Sequence, residues 1–427
     1  MFEKIFSLRY HKTNIKTELL AGLTTFLTMG YILAVNPNIL SITGMNKQAI
    51  FVATCLAASF GSLIMALVAN WPIGMAPSMG LNSFFAYTVV IGMGYTWQEA
   101  LGAVFLSGVI FLIITATGIR SWLIKGIPTS LRSGITAGIG MFLAIISLKT
   151  SGIITHNEAT LLSLGNLNSV APILTFIGLL LIIILETLRI RGAILISILT
   201  ITTISFLIHV NKFQGLMSFP PSLTPTFLQL DILGALNKGI VHVLLVFILV
   251  EVFDATGTLI AIGKKADLLN KKKNTLDKAL FSDSTAILAG SLIGTSSTTA
   301  YVESTAGVIA GGRTGLTALC ISILFLLSLF FSPLILSIPT YATTAALLFV
   351  SCLMMREFSE IQWDNLTDSA PACLTALLIP FSYSVATGLA FGFITYTIVK
   401  IMSGHIKEIH PATGLIAIIF TLRFLFS

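Results

Sequence analysis

Apolar residues run through this chain in long, unbroken blocks separated by short polar breaks. In order they cover residues 18–40, 48–69, 73–91, 99–119, 133–149, 170–187 and 192–209. A polar, proline-containing stretch follows around 210–235. The blocks then resume at 239–262, 277–294, 297–310, 314–335, 341–356, 371–386 and 388–403. Runs of about 18 or more apolar residues are the length of a membrane-spanning helix. The pattern therefore predicts seven spans and then seven more. A last apolar segment, 412–426, reads as an extra span or as a helix lying at the interface. The continuous run from Ile173 to Leu185 lacks the in–out alternation of a membrane barrel. The backbone must satisfy itself in lipid, so the expected fold is an all-α polytopic membrane protein.

Composition agrees. Of 427 residues 55% are hydrophobic and only 10% charged, with mean hydropathy +0.97. Soluble domains carry roughly 25% charged residues, so a soluble surface cannot be built. The formal charge of +7 does not point to nucleic acid, because Lys and Arg gather in the cytoplasmic loops of membrane proteins. Placing Lys4, Arg9, Lys12 and Lys16 in the cytoplasm puts Arg120, Lys125, Arg132, Arg189, Arg191, the 264–278 lysine cluster, Arg313, Arg356, Lys400 and Lys407 there too. Lys47, Lys149, Lys212 and Lys238 fall outside. The expectation is a cytoplasmic N-terminus in an inner membrane, with no cleaved leader. Cys55, Cys320, Cys352 and Cys373 lie in apolar runs without metal or redox spacing. No phosphate-binding glycine loop is present, and neither a cofactor nor a metal is expected.

Seven spans per half send the two halves into the membrane in opposite directions, as in inverted-repeat transporters. The third run of each half is unusual. Residues 71–83, WPIGMAPSMGLNS, place Pro72, Pro77, Gly74 and Gly80 in one would-be helix. Residues 294–307, GTSSTTAYVESTAG, are rich in hydroxyls and bounded by glycines. They read as an extended lead-in to a short helix starting near Tyr301. Broken third and tenth spans in matching positions mark a substrate site at the membrane midplane; tight packing of small residues is the alternative.

Three of the 17 acids lie deep in spans: Glu251, Asp254 and Glu303, with Asp283 a weaker fourth near a span end. An ionised acid there costs about 2.5–3.5 kcal/mol, so such groups face a cavity, pair up or carry protons. Glu251 and Asp254 are three apart and share a helix face, where they would oppose each other's ionisation. The competing role is structural, with Asp254 bonded to the unwound backbone of a neighbouring span. His242 is the one histidine within a span, read as a proton relay or as a packed residue. With Asn82 and the nearby aromatics Phe84, Phe85, Tyr87, Phe253 and Tyr301, the acids suit a flat heterocycle bearing ring N–H donors. A cation or an amino acid also fits that inventory.

These residues resemble a known family. The stretches 22–37 (GLTTFLTMGYILAVNP), 76–87 (APSMGLNSFFAY), 251–259 (EVFDATGTL), 294–307 and 311–316 (GGRTGL) are similar to motifs of the AzgA-like adenine–guanine–hypoxanthine permeases. The resemblance extends from about residue 15 to 403. It implies about 14 transmembrane helices as a 7+7 inverted repeat, with a core domain (1–119 and 237–336) and a gate domain (120–210 and 337–427) joined by a linker at 211–236. It implies secondary active import of purine nucleobases by proton symport, through elevator-like movement of core against gate. Asn82, Glu251 and Glu303 match the family's substrate positions, and Thr299, Tyr301 and Phe253 complete the expected pocket. Asp254 and Thr258 are polar neighbours, assigned together with Glu251 to proton coupling or core organisation. Glu251 stands where the family usually has Asp, Ser78 where it has Gly, Ser83 where it has Ala and Thr387 where it has Asn. Sodium coupling and homodimerisation stay open. The rival readings are a cation channel and a carrier of another nucleobase or small anion; no nucleophile–base pair supports an enzyme.

Overall fold

The computed structural model describes residues 2–158, 160–237, 241–269 and 275–426, apart from the side chains of Ser121, Ile124, Lys125, Val241, His242, Phe253 and Phe426. The expectations for Lys125, Lys238, His242, Phe253 and the lysines at 271–273 therefore fall outside the described residues. Among those described, nine helices are long and apolar enough to cross a membrane, and four shorter apolar helices accompany them.

The chain begins with α1 (Ile15–Met29) and α2 (Ile32–Ser41), one run interrupted at Gly30–Tyr31, followed by α3 (Lys47–Ile64). Asn14 and Asn46 start α1 and α3 by accepting the N–H groups of Thr17 and Ala49, each at 3.0 Å. Strand β1 (Met75–Pro77) leads into the one-turn α4 (Met79–Ser83), which continues as a wider helical turn to Gly92. Helix α5 (Trp97–Ala116) opens on a capping box between Thr96 and Glu99. A short helix α6 (Ile119–Gly126) precedes α7 (Thr129–Thr150). The β2–β3 hairpin (Ile154–Asn157, Leu161–Leu164) then leads to α8 (Val170–Thr187) and α9 (Ala193–Leu207).

In the second half a strand and a short helix again follow two long helices. Helices α10 (Val241–Lys265) and α11 (Thr275–Ile293) precede β4 (Thr298–Ala300) and the short α12 (Ser304–Ile309). Then come α13 (Gly315–Ser328), α14 (Thr340–Met355), α15 (Leu366–Phe381), α16 (Val385–Met402) and α17 (Pro411–Phe426). Helix α11 is 19 residues long but is not among the nine, because it carries Asp277, Lys278 and Asp283.

The fold is thus an all-helical bundle in outline, corrected by four short strands that the apolar pattern did not reveal. Strands β1 and β4 pair antiparallel, with Met75 opposite Ala300, Ala76 opposite Thr299 and Pro77 opposite Thr298. Non-helical backbone at membrane depth must be satisfied by protein, and these two broken segments satisfy each other. Bonds from Ser78 N to Ser297 O (2.9 Å) and from Tyr301 N to Gly74 O (3.0 Å) extend the pairing. The second short helix starts at Ser304 rather than near Tyr301, because the strand and a turn occupy the intervening residues.

Two groups of helices pack most densely within themselves. In one, α13 lies against α1 and α3, while α11 lies against α3 and α5; the crossed strands sit among them. In the other, α7 packs on α14 and α15, α8 on α9 and α14, and α16 on α15 and α17. Lys400 near the end of α16 bonds Asp368 at 3.3 Å and Glu408 at 2.6 Å, tying the segment before α17 to this second group.

Candidate functional site

The crossing of β1 and β4 builds the centre. Asp283 of α11 is fully buried and holds β4 in place. Its Oδ1 accepts the Thr299 hydroxyl at 2.8 Å and the Ala300 N–H at 3.2 Å. Its other oxygen lies 3.5 Å from an Arg120 nitrogen. Arg120 is itself buried; it donates to Thr256 Oγ1 at 3.0 Å and lies over the Phe111 ring at 4.2 Å. This corrects two expectations. Arg120 is not a loop cation, and the acid bonded to unwound backbone is Asp283 instead of Asp254. Both corrections have one cause: the partners are 163 residues apart, and each looks unremarkable in its own segment.

A second polar web joins the first helices to both broken segments. Asn36 of α2 donates to Thr54 at 2.8 Å and to Thr295 at 2.9 Å, and its oxygen accepts the Asn82 amide N–H at 2.6 Å. The Ser296 hydroxyl donates to the Asn82 oxygen. Asn82 is therefore fully buried and held through both ends of its amide, with one N–H left for another acceptor.

The three deep acids occupy different surroundings. Glu251 is fully buried; Ser107 donates to its Oε1 at 3.4 Å, while its Oε2 has no hydrogen-bond partner. The Ser297 hydroxyl, also unpartnered, lies within interaction range. Asp254 is exposed and accepts the Ser78 hydroxyl at 3.0 Å. The expected mutual opposition of Glu251 and Asp254 is not what the packing provides. The charges acting on Glu251 are Asp283 and Arg120, while Asp254 lies near Asp283 and Glu303. Glu303 sits at the N-cap of α12 without capping it, and accepts the Tyr31 hydroxyl at 2.6 Å.

Of the other expected residues, Thr299 uses its hydroxyl on Asp283 and is buried. Tyr301 is buried and donates its hydroxyl to the Pro77 carbonyl at 2.6 Å. That bond satisfies the carbonyl of the residue that ends β1. Thr258 is half-buried on α10. Phe84 and Phe85 are buried, and Phe84 packs edge-on against Phe247 at 5.0 Å. Tyr31, Asn36, Ser107 and Arg120 were missed as site residues. Three of them are uncharged polar groups in apolar runs, which carry no conspicuous insertion cost. Glu18 was missed as well: it is buried and accepts the N–H groups of Arg313 and Thr314 and the Thr317 hydroxyl. Arg313 donates to the carbonyls of Val308, in the last turn of α12, and of Gly312. Among the described residues no group of three or more His, Cys, Asp or Glu could hold a metal ion.

An apolar bundle crossed at its centre by two mutually paired breaks, with carboxyls placed around them, is the architecture of a transport protein. The chain belongs to the permease family, whose signature it matches over residues 16–391. It is 44% identical to the adenine permease AdeP of Escherichia coli, an alignment covering 100% of this chain and 96% of that one. It is 43% identical to the guanine/hypoxanthine permease PbuO of Bacillus subtilis, covering 98% and 99%. In three dimensions it is similar to the transmembrane domain of the cyanobacterial bicarbonate transporter BicA. The TM-score is 0.67 at 16% identity, covering 89% of this chain and 97% of that one; this likeness concerns the fold alone.

Proposed function

We propose that this chain is a purine nucleobase permease of a cytoplasmic membrane that carries adenine, guanine or hypoxanthine by proton symport. The observation that carries the purine assignment is full-length identity above 40% to permeases named for these bases. The site chemistry supports it. Glu251 offers an unpartnered carboxyl oxygen, Glu303 a half-buried carboxyl, and Asn82 a remaining amide N–H. Two acceptors and a donor around a break in the backbone match the ring N–H and ring nitrogen groups of a purine. Asp254, Glu251 and Thr258 serve proton handling or core organisation. A small-anion substrate is disfavoured by the same geometry, because Arg120, the cation brought near the centre, is paired with Asp283.

The helix group around the crossed strands is the moving core and the second group the gate, with the boundaries set out from the sequence except that Arg120, paired with Asp283, goes with the core. The 7+7 inverted repeat is supported by the repeated element order and by the pairing of β1 with β4. Basic residues favour a cytoplasmic N-terminus. The test is uptake of radiolabelled hypoxanthine, guanine and adenine into cells lacking their own purine carriers, with and without a protonophore. Saturable uptake that collapses with the proton gradient is expected. Uptake that persists under protonophore but fails without sodium would replace the coupling ion, and no uptake from a membrane-inserted chain would overturn the substrate.

A further inference from the structure

Tyr31 occupies the interruption between α1 and α2, where the helix pauses at Gly30–Tyr31 before Ile32. Its residue is fully buried, and its ring lines an apolar cavity of about 300 Å³ together with Gly30, Ala34, Ile198, Leu327 and Ile335. Ser328, the other hydroxyl among the lining residues, is bonded to the Leu324 carbonyl at 2.8 Å, and the Tyr31 hydroxyl donates to Glu303 Oε1 at 2.6 Å. Glu303 stands at the N-cap of α12, where an acidic side chain ordinarily folds back onto the helix's own N–H groups. It makes no such bond. A phenol has one proton to donate, and a carboxylate has acceptor sites on both oxygens; binding one of them fixes where the other points.

We propose that Tyr31 is a positioning residue of the nucleobase site. Its hydroxyl holds the Glu303 carboxyl off the N-terminus of α12 and presents the second oxygen to a ring N–H of the substrate. The proposal rests on the nucleobase reading above. Tyr31 touches Glu303 and not the base, so its effect is on affinity, through the carboxyl.

The experiment is Tyr31→Phe, which keeps the ring and its apolar wall and removes one hydroxyl. Uptake of hypoxanthine and guanine is measured with surface abundance, alongside infrared difference spectra of the purified chain and of Glu303→Gln. A hydrogen bond to a charged group corresponds to roughly a tenfold change in affinity. The expected result is a KM raised about tenfold, with maximal velocity and abundance near those of the parent. A carboxyl band that is absent in Glu303→Gln should shift in Tyr31→Phe. An unchanged KM, an unmoved band, or equal losses of velocity and abundance would each overturn the positioning role. A parent chain that carries no purine would sink the nucleobase reading instead, and the infrared band distinguishes that outcome from a failure of the Tyr31–Glu303 contact.

Discussion

At the scale of single residues, Glu251 and Glu303 are chemically alike and differently housed, so their amide variants should behave differently. Glu303 holds a donor already and is half-buried. Glu303→Gln keeps an oxygen for Tyr31 and can present its NH2 group to a substrate N–H, a donor-to-donor clash. Purine affinity should fall about tenfold to a hundredfold, with insertion intact; direct binding to purified protein checks this, and normal affinity would remove Glu303 from the site. Glu251 has an unpartnered oxygen in full burial. Glu251→Gln therefore gives up no described bond beyond the long one from Ser107, and folded abundance should stay within about twofold of the parent. Because Glu251 both contacts the base and handles the proton, purine affinity should fall and proton-driven accumulation should be lost, while exchange of base across the membrane continues at saturating purine. Counterflow measured beside net uptake separates the two. These acids were legible in the sequence because an apolar run cannot hide a carboxyl. Tyr31 and Asn36 were not, since a phenol or an amide in such a run is commonplace and its value lies in a partner the sequence does not name.

At the scale of elements, the two broken segments were legible from proline, glycine and hydroxyl content at the same place in each half. Their conversion into paired strands was not. Three-residue strands leave no periodicity, and the partner of each lies more than 200 residues away. What fixes β4 is the buried Asp283–Arg120 pair together with the turn that precedes the strand. Gly294 has φ +102° there, and a Cβ would run into the backbone of Thr226. A positive φ is natural for glycine and strained for alanine, by about 1–3 kcal/mol, so Gly294→Ala should lower folded abundance more than a change on a lipid-facing helix surface. For the ion pair, removing one partner leaves a buried charge without compensation, a cost of about 3–5 kcal/mol. Arg120→Met should therefore unfold at a lower temperature than the double variant Arg120→Met with Asp283→Asn. The double variant keeps an oxygen for Thr299 and Ala300 and carries no orphan charge. Thermal unfolding in detergent checks the order; a double variant less stable than the single one would show that the pair does not work as a unit.

At the scale of the whole molecule, the all-helical membrane class followed from hydrophobic run lengths alone, because lipid imposes length and self-satisfaction on every segment. Which helices associate could not be read that way, since every lipid-compatible face looks alike in sequence. The packing supplies that division and with it a test of motion. Contact between the two helix groups includes the bond from Asn38 Nδ2 on α2 to Thr343 Oγ1 on α14 at 3.0 Å. If the group around the crossed strands travels against the other, this contact must break in each cycle. In a chain with Cys55, Cys320, Cys352 and Cys373 replaced, the pair Asn38→Cys and Thr343→Cys should cross-link under mild oxidation, and linking should stop uptake in proportion to its extent. Reduction should restore uptake, and purine binding to the linked protein should survive, because neither position contacts the deep acids. Full cross-linking with undiminished uptake would mean that the two groups need not part there, and the displacement of core against gate would have to be given up in favour of smaller gating movements around a stationary site.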